Sequence, residues 1–77
     1  MTLYQFITDN RALVNVMCRN GVVPISVVNH YAIYRHYLDL RAEGRAKRST
    51  IAIIEQSYNL SNKTVYNIIN RYSQPIL

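Results

Sequence analysis

Residues 58–72, Y-N-L-S-N-K-T-V-Y-N-I-I-N-R-Y, divide at helical spacing into two sides. Leu60, Val65, Ile68, Ile69 and Tyr72 make an apolar side, whereas Asn62, Lys63, Thr64, Asn67, Asn70 and Arg71 make a side of hydrogen-bonding groups. A helix face meant only for water is normally filled with strong helix formers such as glutamate and lysine. This one uses three asparagines, which are poor formers, and carries no acid between Glu55 and the C-terminus. A surface that faces an anion would exclude carboxylates for a physical reason, and short amide side chains suit a close approach to another hydrogen-bonding molecule.

Charge supports the same direction. Residues 1–43 hold four arginines against three acids, and residues 44–77 hold five cations against Glu55 alone, so +4 of the net +5 lies in the second half. A basic half on so small a chain points to a polyanion. With 77 residues and 49% hydrophobic content the chain suits one globular domain with a small core, in which seven tyrosines and one phenylalanine supply the bulk.

Other reactive side chains form no convincing set. His36, Asp39 and Glu43 share a face at i, i+3, i+7, but no further ligand accompanies them, and a solvated face is the expected reading. Tyr31, Tyr34 and Tyr37, with His30 and His36, are read as core packing in preference to base stacking. Cys18 lies beside Met17 and is expected in core or at an interface, and as the single cysteine it fits a reducing compartment. There is no serine–histidine–acid set, glycine-rich phosphate loop or pair of catalytic carboxylates. No enzyme activity, metal, cofactor or small-molecule ligand is expected. The start, M-T-L-Y-Q-F-I-T-D-N, has no basic signal-peptide region, and no run reaches the length of a membrane span, so a soluble cytoplasmic protein without membrane contact is expected.

The elements that must position these groups read as an all-α, small four-helix domain spanning residues 1–77. The first helix covers residues 1–20. It begins at Thr2 with capping-box spacing to Gln5 and ends at Asn20-Gly21, with Thr8, Asp9 and Asn10 as the place where it would break. A central helix over 26–43 takes Ser26 as its cap and ends at Gly44; its apolar arc is wide, so it should touch more than one partner. Arg45–Thr50 is a basic connector into a short third helix capped by Ser49 or Thr50, with Ile51, Ile54 and Tyr58 facing inward. Asn59 takes the left-handed position, and Ser61 caps a fourth helix that runs to about Ser73.

The last two helices resemble the helix-turn-helix superfamily of DNA-binding proteins. The likeness covers residues 48–72, about a third of the chain, and is carried by the pattern I-x-x-x-Y-N-L-S-x-x-T-V-x-x-I-I from Ile54 to Ile69. It looks most similar to small prokaryotic and phage forms: Mor-type activators and the DNA-binding domains of resolvases and transposases. Glu55 stands where those families prefer alanine, and Asn59 where they prefer glycine.

The resemblance implies a C-terminal helix-turn-helix over residues 48–73 whose second helix enters the major groove of double-stranded DNA. It assigns base reading to Asn62, Lys63 and Asn67, with Tyr66 alongside. Asparagine pairs bidentately with adenine, and lysine donates to guanine. It assigns phosphate contacts to Ser61, Thr64, Asn70 and Arg71, and to Arg45, Lys47, Arg48 and Ser49 beside the groove. A transcriptional regulator or mobile-element accessory factor would follow. The first helix offers more apolar surface, in Leu3, Phe6, Ile7, Val14, Met17 and Cys18, than a three-helix unit needs. A homodimer through it is expected, with half-sites ~34 Å apart. The rival reading is a helical protein-interaction module, or a subunit of a larger complex, without nucleic-acid binding.

Overall fold

The computed structural model describes residues 1–76 and is all-helical, with five helices and no strand among the described residues. They are α1 (Leu3–Asp9), α2 (Arg11–Arg19), α3 (Ile25–Ala42), α4 (Lys47–Tyr58) and α5 (Asn62–Ser73). The expectation of four helices fails at Asn10, where the expected first helix divides in two. Thr8 and Asn10 turn their side chains back on the preceding helical turn: Thr8 Oγ1 donates to the Tyr4 carbonyl at 2.8 Å, and Asn10 Nδ2 donates to the Phe6 carbonyl at 2.8 Å. Side-chain donors of this kind offer the backbone an alternative to the helical ladder. At φ −123° and ψ 28°, Asn10 leaves helical geometry and α2 starts in a new direction.

Thr2 does cap α1. Its hydroxyl accepts the Gln5 N–H at 3.1 Å and its own N–H donates to Gln5 Oε1 at 2.9 Å, the reciprocal pair of a capping box. Ser26 and Ser49, in contrast, cap nothing. Pro24 precedes α3 with an extended backbone (ψ 144°), and its carbonyl accepts the Val27 N–H at 3.0 Å. A proline at this position loses no hydrogen bond, because the first N–H groups of a helix are unsatisfied anyway. Ala46 plays the same part before α4, without a side-chain bond, so Lys47, Arg48 and Ser49 are helical and not connector. Thr50 is fully buried and donates its hydroxyl to the Ala46 carbonyl at 2.9 Å, so this buried polar group is satisfied.

α3 is the hub. It packs against all four other helices and buries Tyr31, Ile33, Tyr34, Tyr37 and Leu40. One core joins these to Ile7, Val14, Ile51, Ile54, Val65, Ile68, Ile69 and Tyr72. Tyrosine rings do much of the filling: Tyr4 stacks on Tyr31 at 5.2 Å, and Tyr34 lies 5.2 Å from Tyr4, 5.9 Å from Tyr37 and 6.1 Å from Tyr72. Tyr72 also ties α5 to α3, its hydroxyl donating to the Val27 carbonyl at 2.9 Å. Burial raises the Tyr72 phenol pKa, with Arg71 opposing, and burial followed by the nearby Tyr37 and Tyr4 raises that of Tyr34. Both hydroxyls therefore stay protonated at neutral pH. The two ends of the chain meet, since Leu3 N–H donates to the Gln74 carbonyl at 3.2 Å and Ile76 N–H to the Met1 carbonyl at 2.8 Å. Among the described residues no helix is long and apolar enough to cross a membrane.

Candidate nucleic-acid interface

α4 closes on Asn59, whose φ of 53° and ψ of 52° are left-handed. Asparagine tolerates that region better than most residues because its short side chain finds local partners. The reversal lets the Glu55 carbonyl accept from the N–H groups of both Asn59 and Leu60. Ser61 then starts α5, its hydroxyl accepting the Thr64 N–H at 3.2 Å. Only residues 59–61 separate the two helices, and Leu60 packs partly buried against the core beneath them. Ile54 is 0% exposed and Val65 1%, so the inner faces of α4 and α5 meet tightly.

Tyr58 departs from expectation. Its spacing groups it with Ile51 and Ile54 as an inward residue, yet it is 39% exposed. Its hydroxyl meets His36 Nδ1 at 3.0 Å, and the two rings lie edge to face. Glu55 is half-buried, next to the buried Ile54 on α4. The packed side of α5 is therefore made by Val65, Ile68, Ile69 and Tyr72.

With those four turned inward, the helical repeat of ~100° per residue fixes what faces out. Lys63, Asn67 and Asn70 run along the outermost strip, and all three are exposed. Asn62 and Tyr66 form one flank, Thr64 and Arg71 the other. The Tyr66 flank borders the start of α4, where the Lys47 ammonium sits 5.6 Å from the centre of the Tyr66 ring. Arg48 and Ser49 are exposed in the same first turn of α4. The Arg71 flank borders α3: His30 shares a cleft with Thr64, Asn67 and Arg71.

The expected residues are thus not equally placed. Asn62, Lys63, Tyr66, Asn67, Asn70 and Arg71 share one accessible helix surface, with Lys47 against it. Ser61 and Thr64 bond to each other, hydroxyl to hydroxyl at 2.9 Å, so their first task is to start the helix. Arg45 stands apart: its Nε is 3.4 Å from Glu43 Oε1, the single ion pair among the described residues. His30, whose spacing points to partial core packing, is half-buried and also lies beside the polar face. Its spacing within a wide apolar arc concealed this, because periodicity along one helix does not report what the neighbouring helix presents.

A second surface lies among the first three helices. Phe6, Leu13, Met17, Val23 and Val27 line a groove of about 350 Å³ between α1, α2 and the start of α3, with Asn10 at its edge. Phe6 is 41% and Leu13 57% exposed on its rim. No group of three or more His, Cys, Asp or Glu side chains able to hold a metal occurs among the described residues. No protein-family model, curated protein or solved structure matches the chain.

Proposed function

We propose that this chain is a sequence-specific double-stranded DNA-binding protein, serving as a transcriptional regulator or mobile-element accessory factor. In this reading α4, residues 59–61 and α5 are a helix-turn-helix. α5 enters the major groove; Asn62, Lys63, Tyr66 and Asn67 meet base edges, and Lys47, Arg48, Ser49, Asn70 and Arg71 hold phosphates. Ser61 and Thr64 contribute through the helix start, where N–H groups and the positive helix end favour an anion. The observation that carries the reading is the accessible, carboxylate-free outer surface of α5, bordered by cations on both flanks. Arg45, committed to Glu43, is the weakest member of the phosphate set.

A mobility-shift titration on genomic fragments tests it. The protein should shift DNA at low salt, with affinity falling steeply as salt rises. Arg48→Ala should weaken binding to all sequences alike and reduce the log–log salt slope by about 0.9, the value of one phosphate contact. Absence of any shift at low salt ends the reading.

The apolar groove supports a second element, a homodimer. Groove and protruding Phe6 and Leu13 occupy one patch, so a two-fold axis would seat each copy's protrusions in the other's groove, as a self-complementary interface requires. Sedimentation in high salt should give a dimer for the wild type and a monomer for Leu13→Glu, with helical content unchanged. A monomeric wild type across micromolar concentrations would remove the dimer. If in addition no DNA is shifted, the groove would mark a helical protein-interaction module instead.

A further inference from the structure

We propose that His30, on α3, is a DNA phosphate contact that clamps the strand opposite the one gripped by the start of α4. The proposal rests on the DNA-binding reading and extends it to a residue outside the α4–α5 unit.

Two observations lead there. The first is the row Thr64, Asn67 and Arg71, spaced i, i+3, i+7 along the flank of α5 that faces α3; His30 completes the cleft they line, about 200 Å³ in volume. The second is the arrangement of the other flank, where Lys47 lies over Tyr66. An α-helix with its side chains is about 10–12 Å across, close to the ~12 Å width of the major groove. A helix lying in the groove therefore brings its two flanks against the two different strands. Lys47 and Arg48 serve one strand. Arg71 alone would serve the other, unless α3 contributes, and His30 is the α3 side chain that reaches this flank.

The chemistry suits a phosphodiester. Arg71 offers a permanent cation, Thr64 offers a neutral donor, and a protonated imidazole adds a charge-assisted N–H. The charged or titratable groups lining the clefts that share His30 are Arg71 from α5 and Tyr58 from α4. α3 itself adds Asn29, Ala32 and Ile33, and no carboxylate lines either cleft. Histidine, unlike lysine and arginine, is the residue type whose charge changes between about pH 5 and pH 8. If the charged form holds phosphate, DNA binding takes up a proton and must strengthen as pH falls through that range.

Fluorescence anisotropy with a labelled mixed-sequence duplex at about pH 6 and about pH 8 tests this with three proteins. Wild type should bind roughly tenfold more tightly at the lower pH, the scale of one charge-assisted hydrogen bond. His30→Ala should lose that gain and match the wild type at the higher pH. His30→Lys should bind tightly at both, because its charge does not titrate in the range. A merely structural histidine would give equal losses for both variants at both pH values, and that result overturns the proposal. So does His30→Ala binding with wild-type affinity and wild-type pH dependence, which leaves the DNA-binding reading standing. Failure of the wild type to bind the duplex at either pH overturns both.

Discussion

Ile54→Ala should lower the free energy of unfolding by about 2–5 kcal/mol, the usual range for removing three carbons from a site that cannot collapse. Ile54 has no exposed surface and lies in the single core shared by all five helices. α4 packs on both α3 and α5, so neither neighbour can close on the void without losing contact with the other. Domains of this size hold roughly 0.05–0.15 kcal/mol per residue, or about 4–12 kcal/mol in all. The substitution would therefore remove a large share of the stability. In a urea titration the midpoint should fall with the slope unchanged, because the same surface is exposed on unfolding. Tyr58→Ala provides the contrast. The sequence pattern groups Tyr58 with Ile54, but its exposure and its surface contact with His36 limit the cost to about 1 kcal/mol. Equal losses from the two substitutions would show that the buried face of α4 has been placed wrongly.

The elements most legible in the sequence were those whose signals are local and single-valued. Thr2 with Gln5, Asn59 and Ser61 each act within a few residues of themselves, and each does what its chemistry dictates. The all-α class followed from apolar spacing of about 3.6, and the central role of α3 from the width of its apolar arc. The failures have a common physical cause. Where several polar residues compete for one helix start, side-chain preference does not say which backbone turns. Ser26 lost to Pro24, whose ring already fixes φ near the helical value, and Ser49 and Thr50 lost to Ala46 because burying Thr50 spends its hydroxyl on the Ala46 carbonyl. Thr8 and Asn10 marked the point of weakness in the first helix, but whether the chain bends there depends on α2 packing Val14 into the core behind α3, which is a tertiary matter.

The same distinction runs through the candidate interface. Asn62, Lys63, Asn67 and Asn70 were legible as one surface because they belong to one helix whose inner side is unambiguous. Lys47 against Tyr66 and His30 beside Arg71 depend on how two helices lie next to each other, and Arg45 turns to Glu43 within the connection between α3 and α4. Faces of one helix follow from periodicity; the junctions between helices do not. The residues added or demoted by the structure are all at junctions.

Lys63→Ala and Asn67→Ala should each cost about 1–3 kcal/mol on the preferred DNA site, the worth of a good base-edge contact. The two side chains stand one helical turn apart on the outermost strip of α5, so in the proposed docking they would meet different base pairs. Their losses should add, to about 2–6 kcal/mol in the double variant, until binding reaches the non-specific level that lies roughly 4–10 kcal/mol below specific affinity. Neither residue is buried and neither makes a side-chain hydrogen bond among the described residues, so thermal stability should not fall, and Asn67→Ala should raise it slightly because alanine is the better helix former. Arg48→Ala should lower affinity for every sequence; this pair should instead lower affinity for the preferred site and leave scrambled DNA nearly untouched. Selecting sites from a random DNA pool and titrating the winner against a scrambled duplex separates the two effects. A ratio of affinities that survives both substitutions would mean that α5 does not read sequence. Its acid-free, asparagine-rich edge would then serve as a solvated surface or contact the DNA backbone without reading bases.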